Sequence, residues 1–313
     1  MARSALIAIG GHALVRSGQR GTIQEQLINA QAIARRIAQF VSQGWNIILT
    51  HGNGPQVGAA LLRSERAASE VYTLPLDVCV ASSQSEIGYL LQLGLEKELR
   101  EAGVRIPVMT ILTQVEVDRD DKAFEHASKP IGPFYSKATA EQKKQDLGWD
   151  ICEDSARGYR RVVPSPAPRR IVEMEIIRQL HSMGILVIAL GGGGIPVAMD
   201  GSSTMSGVEA VIDKDRSSAL LASGLGLDAF IITTDVDHVY TGYKTPQQKK
   251  ICRTTSADLR RHYREGHFPA GSMGPKIESA LYFLEHGGKE VIITTCDLLH
   301  EAVSGNAGTH IVP

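Results

Sequence analysis

Four consecutive glycines constrain this chain more than any other sequence feature. They occupy positions 191–194 and directly follow an apolar run at 185–190. Further along, Asp213, Lys214 and Asp215 open a segment whose apolar residues have helical spacing. Glycines at the end of a buried strand let backbone N–H groups approach an anion closely, and a helix N-terminus adds partial positive charge. The stretch predicts a site that binds phosphate groups. The alternative is that the four glycines form only a flexible turn.

Two better-known phosphate motifs are excluded by the residues themselves. A dinucleotide fingerprint needs G-x-G-x-x-G running into a helix, but Pro196 stands where the third glycine belongs, and the residues after it read as a turn. The P-loop pattern G-x-x-x-x-G-K-[ST] does not occur in the sequence. A phosphate site on these glycines must therefore be of another type.

Charge and cysteine usage narrow the class of protein. The net charge of the 313 residues is −1 with both signs interspersed, so no nucleic-acid-binding face is expected. No apolar run approaches the length of a membrane span, and the opening residues do not form a signal peptide. The four cysteines are far apart and form no metal-binding pair. We expect a cytoplasmic protein that binds neither nucleic acid nor membrane.

The first 54 residues predict the unit from which the fold is built. Apolar runs at 4–9 and 45–50 read as buried strands, and an amphipathic helix at 23–40 joins them. A βαβ unit of this kind belongs to a parallel sheet, in which ligands bind beyond the carboxyl ends of the strands. The two strands end in Gly10-Gly11-His12 and Gly52-Asn53-Gly54. Both loops should face one crevice together with Gly191 and Gly192.

Further along the chain the same pattern continues. Additional strands are predicted at 107–113, 229–234 and 290–295, and helices at 56–69, 76–102, 171–183 and 256–265. Residues 235–240 form a polar turn with Tyr240 at its end, which suits a purine ring and its ribose. We expect one α/β domain spanning residues 1–313.

Residues 118–170 interrupt this pattern. The segment is charged, rich in turns and too long for an ordinary connection, so it is interpreted as a small protruding subdomain that resembles a lid. Within it, two prolines and a glycine follow Lys129 and stiffen the backbone that presents this lysine. Lys276, after Pro275, falls in the first turn of a helix, where a cation opposes the helix dipole unless an anion shares the site. For each lysine the alternative is an ordinary surface position.

Nine motifs, in order along nearly the whole chain, resemble those of carbamate kinases, a branch of the amino-acid-kinase fold superfamily. They are GG-x-AL at 10–14, THGNGPQVG at 50–58, TQVEVD at 113–118, KPIGPFY at 129–135, GYRRVVPSP at 158–166, GGGGIPV at 191–197, VIDKD at 211–215, TDVD at 234–237 and GSMGPK at 271–276. The resemblance implies an open αβα sandwich with a mostly parallel sheet of about eight strands, a protruding subdomain and a homodimer. The implied reaction is reversible phosphoryl transfer between MgATP and carbamate, giving MgADP and carbamoyl phosphate, used to make ATP in arginine, agmatine or ureide catabolism.

The resemblance also implies roles for individual residues. Lys129, Lys214 and Lys276 match the active-site lysines of the family, and Asp215 matches the aspartate that organises them. Substrate-binding positions fall on Gly10, Gly11, His12, Gly52, Asn53 and Gly54, and nucleotide-binding positions on Gly191, Gly192, Thr233, Asp235, Tyr240 and Met273. Magnesium is expected on the nucleotide phosphates, with few protein ligands.

Two departures from the family pattern leave the acceptor open. His12 stands where the family usually has asparagine, and Ser85 stands where it usually has glycine. Both are expected near the substrate pocket. A kinase of the same fold that acts on another small carboxylate, carbamate or phosphonate is therefore an alternative. A non-catalytic nucleotide or metabolite sensor is a further one.

Overall fold

The structure is a computed structural model that describes residues 3–153, 158–201, 204–269 and 273–313, without the side chain of His12. The helices are α1 Ile23–Ser42, α2 Gly54–Arg66, α3 Leu76–Glu101, α4 Lys137–Leu147, α5 Met174–Ser182, α6 Lys214–Leu225, α7 Ser256–Arg264, α8 Met273–Glu285 and α9 Leu299–Val303. The strands are β1 Ser4–Ile9, β2 Asn46–His51, β3 Val108–Thr110, β4 Gln114–Val117, β5 Lys129–Tyr135, β6 Asp150–Glu153, β7 Tyr159–Val163, β8 Pro168–Ile171, β9 Leu186–Ile188, β10 Ile195–Met199, β11 Met205–Gly207, β12 Ala229–Thr233, β13 Val239–Thr241, β14 Lys249–Ile251, β15 Arg253–Thr255, β16 Glu290–Thr294 and β17 Thr309–Val312. Short 3₁₀ turns lie at Gly11–Ala13, Lys122–Phe124, Gly191–Gly193 and Cys296–Leu298.

Eight strands form the main sheet, in the order β15-β17-β16-β12-β1-β2-β9-β3. Every neighbouring pair runs parallel except β16 and β17. Ile7 at the centre of β1 pairs with Leu49 of β2 on one side and Ile231 of β12 on the other. The predicted α/β class, with a mostly parallel sheet of about eight strands, is confirmed.

Both faces of this sheet are covered, because successive side chains of a strand point to opposite sides. Leu6 and Ala8 of β1 pack in a core shared with α5, α6 and α8, whereas Ile7 and Ile9 pack in a core shared with α1 and α3. Full burial of an isoleucine or leucine side chain stabilises a fold by roughly 1.5–3 kcal/mol. This alternation produces the three-layered sandwich and leaves the ends of the strands free for a site.

The segment between β4 and β8 leaves the main sheet. Strands β5, β7 and β6 form an antiparallel sheet of their own, and α4 packs on β6 and β7. The rings of Trp149 and Tyr135 are 5.9 Å apart, with Lys143 and Arg161 over the face of Trp149. β5 also lies against α2 of the main body. This unit carries Lys129 at the first residue of β5.

Several predicted boundaries were wrong because a second sheet, with the order β11-β10-β4-β8, was not foreseen. The strand predicted at 107–113 ends at Thr110, and the chain re-enters as β4 in the second sheet. Ile171 belongs to β8, paired with Val115, so the helix predicted from 171 begins only at Met174. Residues 197–199, interpreted as the start of a turn after Pro196, belong to β10, which lies between β4 and β11. Tertiary pairing overrides local propensity at these positions.

Within the described residues, no helix combines the length and apolar character needed to cross a membrane.

Candidate functional site

A cavity of about 440 Å³ lies at the carboxyl ends of β1, β2 and β12. It brings together side chains and loops that are far apart in sequence, as expected where parallel strands end at one edge. Of the predicted site residues, its lining contains Gly10, Gly11, Gly52, Asn53, Gly54, Lys129, Gly192, Lys214, Asp215, Thr233, Asp235, Tyr240, Met273 and Lys276. Gly191 is buried beside Gly192. The side chain of His12 and all of Gly271 and Ser272 lie outside the described residues.

The glycine run is a tightly packed turn, which argues against the flexible-turn alternative. Leu190 before it adopts φ +51, a left-handed conformation that leucine rarely takes. Gly192 has φ +66, and a Cβ on it would lie 2.1 Å from Nδ2 of Asn53. A Cβ on Gly191 would lie 2.6 Å from Cε1 of His51. No larger residue fits without displacing the loop that contains Asn53.

Buried amides fix these loops to α3. Gln84 donates from Nε2 to the carbonyl oxygens of Gly191 (2.9 Å) and Thr113 (3.1 Å), and its Oε1 accepts from the N–H of Thr113 at 2.9 Å. Asn53 donates from Nδ2 to Oγ of Ser83 at 2.8 Å. Gln84 was missed as a site residue, although a glutamine on the apolar side of a predicted helix is a signal of such a role.

Three lysines and two aspartates form one cluster in the cavity. Nζ of Lys129 lies 2.6 Å from Oδ2 of Asp213. Asp215 accepts from Nζ of Lys214 at 2.6 Å on one oxygen and from Nζ of Lys276 at 2.8 Å on the other. Three positive and two negative charges leave one net positive charge, and each ammonium has three donors. The cluster therefore retains both charge and donors for an anionic ligand, and these lysines are not ordinary surface lysines.

Asp213, which sequence reasoning did not assign a role, supports both the helix and the lysine. Its Oδ1 accepts from the backbone N–H of Asp215 (2.9 Å) and of Arg216 (3.3 Å), so it caps α6. Its Oδ2 binds Lys129 of β5. The preference of aspartate for the N-cap position, directly before a predicted helix, is the signal that could have identified it.

Burial and ion pairing act in opposite directions on the two carboxylates. Burial alone would raise the pKa of Asp213, but the hydrogen bond from Lys129 and the combined charges of Lys129, Lys276 and Lys214 outweigh it and hold the pKa below its usual range. Burial likewise opposes ionisation of Asp215, and its two lysine partners hold the pKa of this carboxyl below its ordinary value. Both groups are carboxylates at neutral pH.

The two lysines on Asp215 respond differently to the same surroundings. Burial lowers the pKa of Lys214, and the pairing with Asp215 offsets this only in part. Burial alone would lower the pKa of Lys276, but the hydrogen bond to Asp215 and the combined charges of Asp215, Asp213 and Asp235 outweigh it, so the pKa of Lys276 is raised. The nearby His51 is neutral, because burial lowers its pKa to about 4. Lys214 is thus the cation of the pair that loses its proton more readily as pH rises.

The opposite part of the cavity has an aromatic and hydroxyl-bearing wall. Thr233 at the end of β12 accepts from the N–H of Gly10 through Oγ1 at 3.0 Å. Tyr240 donates from its hydroxyl to Oδ1 of Asp237 at 2.7 Å, and this bond raises the pKa of Tyr240 to about 12. Its ring lies 5.9 Å from that of Tyr243. Met273, at the first turn of α8, lines the same wall.

Comparison with known proteins agrees with this geometry. Residues 4–295 match the profile of the amino acid kinase family. The carbamate kinase of Pyrococcus furiosus is 44% identical over the whole of both chains. This chain belongs to the carbamate kinases of the amino acid kinase family. Among solved structures, the carbamate kinase from Giardia lamblia bound to citric acid superposes with a TM-score of 0.95, at 36% identity over 99% of this chain and 98% of that one. The same enzyme bound to AMP-PNP gives 0.90, at 38% identity over 99% and 98%.

One of the two departures from the family pattern lies away from the cavity. Ser85 is exposed on α3 and donates from Oγ to the carbonyl oxygen of Ser82 at 2.8 Å. The expectation that it lies near the substrate pocket was wrong, because helical periodicity turns Gln84 inward and Ser85 outward. His12 remains the departure close to the cavity, since its neighbour Gly11 lines it.

A second cavity, of about 890 Å³, adjoins the first. The residues common to both linings are Gly10, Pro55, Arg160, Thr233, Thr234 and Asp235. Its walls come from α1, α2 and β5, and they include the arginines Arg16, Arg20, Arg36 and Arg63. This cationic vestibule was not predicted, because four of its arginines are scattered over the first 63 residues without a motif and the fifth is the distant Arg160.

Proposed function

We propose that this protein is a carbamate kinase that reversibly transfers a phosphoryl group between MgATP and carbamate, giving MgADP and carbamoyl phosphate. One observation carries the proposal. Asp215 holds Lys214 and Lys276 together, and Lys129 joins them from another element through Asp213. A preorganised group of ammonium ions is what phosphoryl transfer between two anions requires.

Carbamate needs no general base, because its oxygen is already an anionic nucleophile. The barrier lies in bringing this anion against a γ-phosphoryl group and in stabilising charge on the oxygens of the transition state. Lysine suits that role because it is a compact cation with several donors. The buried and neutral His51 supports the loop and is not required as a base.

We assign each lysine by the element that carries it. Lys129 projects from β5 and contacts the acceptor side, whereas Lys214 and Lys276 sit at the N-termini of α6 and α8 and contact the transferring group. Each charged contact of this kind contributes about 2–4 kcal/mol to the transition state. The N–H groups of the glycines at 10–11 and 52–54 bind oxygens of carbamate and of the phosphoryl group.

The nucleotide occupies the other wall of the cavity. We place its phosphates at Gly191 and Gly192, and its base and ribose near Thr233, Asp235, Tyr240 and Met273. The AMP-PNP complex of the Giardia lamblia enzyme, which covers nearly the same length, supports a nucleotide in this fold.

Magnesium fits this site as an ion carried by the nucleotide. Asp213 and Asp215 are both engaged by lysines. Magnesium is usually held by one or two carboxylates together with substrate phosphates and water. When bound, it supplies positive charge to the phosphate oxygens, while the lysines position the acceptor and the transferring group.

Residues 118–170 act, in this proposal, as a lid that carries Lys129 to the acceptor and forms one wall of the vestibule. We further propose a cytoplasmic homodimer. Apolar side chains are exposed where α3 packs on the outermost strand β3, namely Tyr89, Leu93, Met109 and Leu112. Exposed apolar side chains grouped on neighbouring elements are typical of a subunit interface.

An acyl-phosphate panel tests the acceptor. Purified protein with ADP and Mg²⁺ is supplied in turn with carbamoyl phosphate, acetyl phosphate and a phosphonate anhydride, and ATP formation is measured with luciferase. The proposal predicts the highest kcat/KM with carbamoyl phosphate in the wild type and in the His12→Asn variant. A preference for another acyl phosphate that His12→Asn reverses would assign a different acceptor.

A further inference from the structure

A group of side chains at the C-terminal end of α7 is not used by the proposed reaction. Nδ1 of His262 lies 3.1 Å from Oε2 of Glu265, and Nε2 of His267 lies 3.4 Å from the same oxygen. Within the part of the chain that the structure describes, it is the one group of three histidine, cysteine or acidic side chains whose ligand atoms all lie within 4.8 Å of one another. The two imidazole rings are 5.5 Å apart at 64° to each other.

The backbone holds these three residues in place through a Schellman motif. Gly266 adopts φ +79, and its N–H donates to the carbonyl oxygen of Tyr263 at 3.1 Å. The N–H of His267 donates to the carbonyl oxygen of His262 at 3.2 Å. In this motif the side chains three residues before the helix end and two residues after it meet, usually as an apolar contact. Here both positions are histidine, with Glu265 at the cap between them.

The spacing of the donor atoms matches a particular class of ion. Zinc binds histidine nitrogen and carboxylate oxygen at about 2.0–2.2 Å in a tetrahedron, which places neighbouring ligand atoms about 3.3 Å apart. The two distances to Glu265 are 3.1 and 3.4 Å. The third distance joins the ligand nitrogens of His262 and His267. Both side chains are partly exposed, and their rotation brings these two nitrogens to the spacing that the metal needs. Two imidazoles and one carboxylate favour zinc, cobalt, nickel or copper over magnesium, which prefers oxygen ligands.

We propose that His262, Glu265 and His267 form a binding site for a divalent transition metal of the zinc class, with water completing the coordination. The negative end of the α7 dipole adds to the attraction for a cation. Arg261 carries a positive charge that would repel a bound cation. Its guanidinium is directed to Asp258, with Nη1 2.9 Å from Oδ1, and its Nε lies 3.9 Å from Oε1 of Glu265. The site is separate from the magnesium that accompanies the nucleotide.

The position of the site gives metal binding a structural consequence. His267, Phe268 and Pro269 line the cavity that contains Lys276. A metal bound by His267 fixes the start of this wall to the end of α7. We therefore expect zinc to raise the thermal unfolding temperature of the protein in the absence of nucleotide.

Cobalt titration tests the site. Untagged, chelator-treated protein is titrated with Co²⁺ without nucleotide, and visible d–d absorption and Tm are recorded. The wild type should bind one equivalent with the strong absorption of four- or five-coordinate cobalt, which Zn²⁺ displaces. His262→Gln and His267→Gln should each weaken binding at least about tenfold, since loss of even an outer-shell partner weakens metal sites by 10–100-fold.

His286→Gln is the matched control, because this exposed histidine lies against Tyr282 and has no carboxylate partner among the residues that the structure describes. It should bind cobalt as the wild type does. Absence of stoichiometric binding in the wild type, or unchanged binding in the His262→Gln, His267→Gln double variant, overturns the proposal. Neither result depends on kinase turnover, so failure here leaves the proposed function untouched.

Discussion

Asp215 accepts from two lysines through separate oxygens, so this single side chain holds two of the three ammonium groups of the site. The neighbouring Asp213 performs a comparable task for Lys129 while capping α6. Both carboxylates remain ionised despite burial, because the lysines hold each pKa below its usual range. At this scale the site is a set of ion pairs in which the positive charges of the lysines outnumber the negative charges of the aspartates.

Substituting Asp213 separates its two tasks. Asparagine caps a helix about as well as aspartate, so Asp213→Asn should keep the cap of α6 but lose the ion pair with Lys129. Turnover should fall about tenfold, because a hydrogen bond to a charged group is worth about 1.5–3 kcal/mol. Asp213→Ala should lose about 1 kcal/mol of stability in addition. Steady-state kinetics and thermal unfolding measure the two effects, and wild-type turnover in Asp213→Asn would remove Asp213 from the positioning of Lys129.

The fall of activity at high pH, the alkaline limb of the pH profile, should result from deprotonation of Lys214. The active form is the protonated ammonium, and burial lowers its pKa, so kcat/KM should fall as pH rises through a value below that of an ordinary lysine. The pKa of Lys276 is raised and that of Tyr240 is about 12, so neither produces this limb. Lys214→Arg, whose guanidinium stays charged, should move the limb of its residual activity upward. An unchanged limb in that variant would assign the titration to another group.

At the scale of elements, the contact between α2 and β5 sets the position of Lys129. A Cβ on Gly58 would lie 2.1 Å from Cα of Gly132, so helix and strand touch backbone to backbone. Lys129 is three residues before this contact on the same strand. The proposed lid therefore contacts the main body where Gly132 faces Gly58.

Adding a methyl group at this contact should displace the lid. Gly58→Ala improves helix propensity by about 1 kcal/mol, so any loss of function must come from the clash. A displacement near 1 Å can lower turnover about 100-fold, and we expect a loss of about 10–100-fold in kcat. Gly201→Ala is the control, because a Cβ there meets open space. Equal kinetics for the two variants would show that β5 does not depend on this contact.

The sequence was most informative where topology makes a local pattern sufficient. Apolar runs ending in glycine located β1, β2 and β9 and the shared edge at which their loops meet. It was least informative where a residue acts through a distant partner. Gln84 is a site residue only because Thr113 and Gly191 fold back to it, and β10 is a strand only because β4 and β11 flank it. The outward position of Ser85 follows from the helical periodicity of α3, in which the adjacent Gln84 points inward.

On the scale of the whole molecule, the proposed homodimer has its interface on the exposed apolar side chains of α3 and β3. Leu93→Glu places a charge in this surface and should dissociate the dimer, whereas Ile176→Glu, at an exposed position on α5, should not. Sedimentation velocity at micromolar protein concentration distinguishes the two species. A monomeric wild type, or a Leu93→Glu variant that stays dimeric while Ile176→Glu dissociates, would place the interface elsewhere.

The proposed mechanism depends on ammonium groups that neutralise two anions as they meet. The most direct test measures ATP formation from ADP, Mg²⁺ and carbamoyl phosphate by the wild type, by Lys214→Met and by Lys250→Met, an exposed lysine on β14. The wild type and Lys250→Met should form ATP at similar rates, and Lys214→Met should be slower by about 10²–10³-fold, as for the loss of one transition-state charge contact. ATP formation by Lys214→Met at the wild-type rate, or none by the wild type, would contradict the account.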